Sequence, residues 1–201
     1  MAASEPGFMV SVTGQIESES LADFDDVYCR YSFNHGPDWE MVAVREDVGC
    51  VLCLSQVWTG ISQISKRSQN ERQLLVWNLP VEVSFKSTNP HGWPQLIVSG
   101  YGPDLFGNDV IRGYGVCHVP VCSGSHRVRM AVFVPESTSQ LQKLASWFTG
   151  RRPELADPVT LALGEGREVM RVRSQGVVTC RLQVLTKDLR RLGYVSGRQP
   201  E

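Results

Sequence analysis

Trp77-Asn-Leu-Pro-Val-Glu-Val-Ser-Phe85 sets Trp77, Leu79, Val81, Val83 and Phe85 at every second position, with polar residues and Pro80 between them. A repeat of two is that of an extended chain with one face buried and one face wet. Pro80 has no amide hydrogen for a ladder, so this strand belongs at a sheet edge or carries a bulge. On either side, short β-rich runs recur between Gly, Pro, Asn and Asp: Met9–Gln15, Val27–Phe33, Gln95–Tyr101, Gly113–Val119, Val128–Val134, Glu168–Arg173 and Val177–Leu185. In the second of these, Val27, Cys29, Tyr31 and Phe33 share one face. About eight strand candidates with turn residues between them predict an all-β, antiparallel sandwich.

One segment has a different period. Ser137-Thr-Ser-Gln140 reads as a capping box, and Leu141, Leu144, Ala145 and Phe148 follow at helical spacing. Gly150 and Pro153 end the run, which predicts a short helix over 139–149 whose stripe docks on the sandwich. Residues 1–7 and 196–201 are small and polar and are expected to be flexible ends.

The chain has 201 residues, 42% of them hydrophobic, enough for one large core. Its formal net charge is −1, and nucleic-acid binding needs a clear basic excess, so no such partner is expected. Met1–Met9 has neither a basic nor an apolar signal-peptide region. No run approaches the roughly 20 apolar residues of a membrane span, and no Asn-x-Ser/Thr sequon occurs. Cys29, Cys50, Cys53, Cys117, Cys122 and Cys180 are scattered through predicted strands. They read as free, mostly buried thiols in a cytosolic chain.

Several longer stretches then stand out: Phe85-Lys-Ser-Thr-Asn-Pro-His-Gly-Trp-Pro94, Tyr101-Gly-Pro-Asp-Leu-Phe-Gly-Asn-Asp109, Arg112-Gly-Tyr-Gly115 and Phe133-Val-Pro-Glu-Ser-Thr138. Ser146-Trp-Phe-Thr-Gly-Arg-Arg-Pro-Glu154 and Gly164-Glu-Gly-Arg-Glu168 add to them. In this order and spacing, across residues 8–195, they resemble the B9 domain family. The resemblance implies a C2-type β-sandwich without enzymatic activity. It further implies a subunit of the Meckel-syndrome-type (tectonic-like) complex at the ciliary transition zone, with other B9 domain proteins and subunits of that complex as partners. The role so implied is in the barrier between ciliary and plasma membranes, in ciliogenesis and in Hedgehog signalling. The places so implied are cytoplasm, cytoskeleton, centrosome and cilium basal body. Residues 40–59 depart from the family: the stretch is longer, apolar and cysteine-bearing, and is expected to be a poorly packed insert. Val51-Leu-Cys-Leu-Ser-Gln56 has the coding form of a splice acceptor, so part of the stretch reads as translated intron or an alternative splice product.

A C2-type sandwich raises the question of calcium, which needs six to eight oxygens from clustered carboxylates. The loop Tyr101–Asp109 offers only Asp104 beside Asp109, and the first loop Asp23, Asp25 and Asp26, so no calcium and no other cofactor is expected. Asn108 and Asp109 are expected to cap a turn. Cys50-Val-Leu-Cys53 lacks a second metal pair. Cys117 and His118, adjacent on a strand, face opposite sides. His35, His91, His118 and His126 sit in no nucleophile motif, so neither catalysis nor a small-molecule substrate is expected.

The candidate contact residues are Trp93, Leu105 and Phe106 in loops, together with Arg151, Arg152, Arg190 and Arg191. The loop aromatics and Leu105 either cover the sandwich end or anchor a partner. The arginines, with Arg171, Arg173 and Lys187, either form a solvated rim paired with nearby carboxylates or converge to attract anionic lipid. The second option makes a calcium-independent membrane-surface module the alternative function.

Overall fold

In the computed structural model the described residues are 7–21, 24–42, 59–69, 73–104, 107–136 and 171–194. Nine strands lie among them: β1 (Phe8–Leu21), β2 (Tyr28–Asn34), β3 (Trp39–Val42), β4 (Gly60–Ile61), β5 (Leu75–Ser87), β6 (Gln95–Pro103), β7 (Asp109–His118), β8 (Gly124–Glu136) and β9 (Arg171–Lys187). They join in one sheet of order β3-β5-β1-β9-β8-β7-β6-β2-β4, every pair antiparallel. The sheet curls on itself into an antiparallel sandwich, as the alternation predicts. Two of the strand candidates need correction, and two strands, β3 and β4, were not expected. The two candidates after residue 168 are, from Arg171 on, a single long strand: the register against β8 slips by one residue at Gln175, between Gly176 and Ser174, which reverses the side-chain pattern, and the pairing then resumes as far as Arg171. Short β3 and β4 have too few residues to show a period.

Why the sheet folds over is written in β7. It meets β8 only at the rungs Tyr114–Phe133 and Gly115–Val132. A Cβ on Gly113 would stand 2.2 Å from Val132 Cγ1, and one on Gly115 2.9 Å from Met130 Sδ. Glycine in a strand marks such a close approach. The Arg112-Gly-Tyr-Gly115 motif is therefore the corner at which one arm, β3-β5-β1-β9-β8, turns over the other, β7-β6-β2-β4.

The core lies between these arms. Val10, Val12 and Ile16 of β1, Trp77, Val81, Val83 and Phe85 of β5, and Val178, Leu182 and Val184 of β9 point into it. From the other arm come Cys29 and Phe33 of β2 and Leu96 and Val98 of β6. Burying each large aliphatic or Phe side chain contributes about 1.5–3 kcal/mol. Trp77 is 2% exposed and its Nε1 donates to the Val27 carbonyl at 2.9 Å. Pro80 pairs with Gln15 of β1, beyond the reach of β3, which covers only Ser84–Ser87. That is the edge position its missing amide requires.

Strand β1 carries one irregularity. Its register slips between Ile16 and Ser18 against both β5 and β9. Asn78 of β5, opposite the slip, takes a φ of 47°, a conformation Asn tolerates better than most residues. Against β9 the extra residue is Glu17, whereas against β5 the longer side is β5 itself, at Trp77–Asn78. Before Glu17, Phe8, Val10, Val12 and Ile16 face inward; after it the parity reverses and Glu19 faces inward.

Glu40–Val42, expected to begin the poorly packed insert, pair with Lys86, Phe85 and Ser84, and Met41 packs on the core. Residues 43–58 and the helix expected over 139–149 lie outside the described residues. Among those described, no helix is long and apolar enough to cross a membrane.

Candidate interaction surfaces

The most completely built constellation lies at one end of the sandwich, in Phe85–Pro94. Trp39 Nε1 donates to the His91 carbonyl at 2.7 Å, and the Gly36 amide to the Gly92 carbonyl at 2.8 Å. Gly36 and Gly92 approach so closely that a Cβ on Gly92 would fall 2.5 Å from the Gly36 Cα. Gly92 also has a φ of 69°, so only glycine fits. Asn89 Nδ2 donates to Asp38, and Ser87 Oγ to the Asp38 carbonyl. The indoles of Trp39 and Trp93 meet edge to face at 5.1 Å, and Trp93 Nε1 donates to the Val119 carbonyl at 2.8 Å. In this placement the partly buried Trp93 packs against the core at the sandwich end. The stretch is a lock that ties the β2–β3 turn to the β5–β6 loop.

The opposite end gathers the carboxylates. Asp25 Oδ1 accepts from the amides of Arg67 at 2.7 Å and Asp26 at 3.1 Å. The Arg67 amide is the main reason its carboxyl is held below the usual range. Asp26 lies 3.8 Å from Lys66 Nζ. Asp109 accepts from the Tyr28 hydroxyl at 3.2 Å. The turn expected to be capped by Asn108 and Asp109 is capped instead by Asp104, whose Oδ1 accepts the Asn108 amide at 2.8 Å. The reason is length: a carboxylate four residues back reaches that amide, whereas Asp109 already belongs to β7. Among the described residues no three His, Cys, Asp or Glu side chains gather as a metal-holding set.

The sulfur chemistry is equally quiet. Cys29, Cys117, Cys122 and Cys180 are in no disulfide, and Cys29 and Cys180 are buried. Desolvation pushes Cys117 up to about 12 and raises Cys29 and Cys180 as well. Since the thiolate is the nucleophile and the metal ligand, these sulfurs stay inert near neutral pH. Cys117 packs against the core while His118 is exposed beside Gln95, divergent as a strand requires. Cys50 and Cys53 lie outside the described residues.

Among the described residues the basic candidates fall into two separate groups. Arg171 and Arg173 open β9, whereas Lys187 closes it and Arg190 and Arg191 follow in a 3-10 turn. At about 3.3 Å per strand residue the two groups stand on the order of 50 Å apart. Arg191 is paired with Asp188 at 3.3 Å, and Arg190 is exposed. Arg151, Arg152, Leu105 and Phe106 lie outside the described residues. Two features escaped sequence reasoning, and the bulge makes both. Glu17 sits between Arg127 and Arg181 on the outer face, and Glu19 is buried. Nothing local marks a bulge at Glu17, since Gly14 lies three residues earlier.

Residues 10–185 match the family described as "Ciliary basal body-associated, B9 protein" (B9-C2). The chain belongs to this family. It is 54% identical over 198 residues to B9 domain-containing protein 1 of Homo sapiens, a span covering 98% of this chain and 91% of that one. Against B9 domain-containing protein 1 of Xenopus laevis the identity is 54% over 197 residues, covering 98% and 93%. Against B9 domain-containing protein 2 of Homo sapiens it is 27% over 184 residues, covering 92% and 97%. Among solved structures, the C2A domain of plant Extended Synaptotagmin 1 aligns over 90% of this chain and 96% of that one, at 13% identity and a TM-score of 0.39. As a B9 protein, the chain has its family motifs in structural positions: Arg112–Gly115 at the corner and Phe85–Pro94 in the lock.

Proposed function

We propose that this B9 protein is a non-enzymatic structural subunit of the tectonic-like complex at the ciliary transition zone. There it contributes to the barrier between ciliary and plasma membranes, and ciliogenesis and Hedgehog signalling depend on it. Its partners are other B9 domain proteins and the remaining subunits of that complex, and its sites are the basal body, transition zone and centrosome. The observation that carries the reading is the match to B9 domain-containing protein 1 along nearly the whole chain.

The chemistry is consistent with a role in surface contact. Buried thiols are held protonated, and the carboxylates Asp25, Asp104 and Asp109 are engaged with backbone amides or a tyrosine hydroxyl. Neither arrangement offers a nucleophile with an adjacent base. The alternative, a membrane module reading anionic lipid through Arg190, Arg191 and their neighbours, is weakened by the separation of those cations along β9. Neither reading requires calcium or another cofactor.

The test is reconstitution. Purified chain mixed with B9 domain-containing protein 2 should elute in size-exclusion chromatography as a joint species. Removing the chain from ciliated cells should leave basal bodies without cilia, and restoring it should return both the cilia and the Hedgehog response. Separate elution together with normal cilia in its absence would reject the proposal.

A further inference from the structure

The bulge in β1 places Glu17 on the outer face of the five-stranded arm, 3.1 Å from Arg181 Nε and 3.6 Å from Arg127 Nη2. Arg127 and Arg181 face each other across one rung of the β8–β9 ladder, and Arg129 stands at the next outward position, opposite Thr179. Like charges directly opposite each other repel. One carboxylate shared between two guanidinium groups relieves that rung, yet three cations are then served by a single anion. Arg129 is exposed, and among the described residues no carboxylate forms an ion pair with it.

The surroundings say what kind of anion fits. Along the outward side of β9, Leu185 is 57% and Val177 40% exposed, each four residues from Arg181. At about 3.3 Å per residue, each aliphatic lies roughly 13 Å from the charge. Gln15 pairs with Arg181, and Thr179, Gln183 and Ser125 fill the adjoining outward positions. A planar guanidinium matches a carboxylate through two parallel hydrogen bonds, and arginine flanked by aliphatic surface is the composition of protein contacts. Recruitment to anionic bilayers takes clusters of about four to eight basic residues, and this cluster offers three, one pair of them already shared with Glu17. The face is also the convex side of a curled sheet, at mid-strand, away from the loop tips.

We propose that the outer face of β8 and β9 receives an acidic segment of a protein partner, with a carboxylate held between Arg129 and Arg181 and an aliphatic side chain set against Leu185 or Val177. This deepens the subunit reading and rests on it, by naming a surface and the chemistry of what it takes.

The test uses the full chain and a fluorescein-labelled Leu-Glu-Glu-Leu-Glu-Glu-Leu peptide, read by fluorescence anisotropy, beside phosphatidylcholine vesicles with and without phosphatidylserine. The wild-type chain should bind the peptide, more weakly as salt rises. Arg129→Glu should weaken binding by roughly tenfold or more and should instead bind the same peptide with Lys in place of Glu. Arg190→Glu, at the far end of β9, should bind like wild type. Circular dichroism checks that each variant is folded. An acidic peptide that binds Arg129→Glu as well as wild type overturns the proposal. So does a wild-type chain that ignores the peptide, or one that binds phosphatidylserine vesicles through Arg129 in its place. Imaging the tagged wild-type chain separates the two readings: arrival at the basal body with peptide binding indifferent to Arg129 removes this surface alone. A chain that never reaches the basal body removes the subunit reading itself.

Discussion

Glu19 sits with 1% exposure between the arms of the sandwich, its rung partners Leu75 on β5 and Val178 on β9. Its carboxyl faces Gly100 of β6, where a Cβ would lie 3.5 Å from Oε2, and that oxygen has no hydrogen-bond partner among the described residues. Burial raises its pKa from 4.5 to about 8, because ionising a carboxyl away from water is costly. The sign of the linkage follows. Between about pH 4.5 and 8 the folded state holds a proton that the unfolded state has released, so this group's contribution to stability is full below pH 4.5 and is lost as pH rises towards 8. Glu19→Gln should remove that slope, leaving the variant more stable than wild type at pH 8 by roughly 2–4 kcal/mol and close to it at pH 4.5. Urea unfolding of both proteins across this range reads the difference, and parallel pH profiles would show the carboxyl to be ionised or solvated. The partner consequence of the same bulge is smaller. Glu17→Gln leaves Arg127 and Arg181 opposed at an exposed surface, and should lower the unfolding free energy by about 0.5–1 kcal/mol, less at high salt.

At the scale of elements, the corner and the lock decide the shape. Gly113→Ala sets a methyl group against Val132, which is 1% exposed and branched at Cβ, so neither side can yield easily. Overpacking of that kind costs about 1–3 kcal/mol, which a lowered urea midpoint at unchanged slope should report. The lock is held partly by one indole hydrogen bond. Trp39→Phe keeps most of the apolar bulk beside Phe8, Phe85 and Trp93 but leaves the His91 carbonyl without its donor, and should cost about 1 kcal/mol or slightly more. Both motifs were legible in the sequence as unusual concentrations of Gly, Pro, Asn and Trp. What they build was not legible, because a glycine's role depends on the strand that passes over it, and that strand is distant along the chain.

For the whole molecule, the sheet order puts β1, β9 and β8 in the middle of the sheet, each paired along its length on at least one side, while β3 and β4 are short edges. Amides that open only with the whole fold exchange slowest. Hydrogen exchange should therefore protect Val10–Val12 and Cys180–Val184 longest, with Gly60 and Ile61 exchanging first. Fast exchange in β9 would mean that the two arms do not unfold together.

The alternation in 77–85 and the turn residues between strands were sufficient to establish an all-β sandwich with Trp77 inside, and left Pro80 either at an edge or at a bulge. These are short-range properties: side-chain period and amide chemistry act within a few residues. The motifs in order and spacing carried the family. Tertiary structure alone decided that β9 is one strand, that Asp104 caps the turn assigned to Asn108 and Asp109, and that Arg171 and Arg173 stand at the far end of β9 from Lys187, Arg190 and Arg191. It also decided that an added residue in β1 sends Glu17 out to two arginines and Glu19 into the core. A bulge changes which face every later side chain takes, and whether it forms depends on two neighbouring strands more than fifty residues away in sequence.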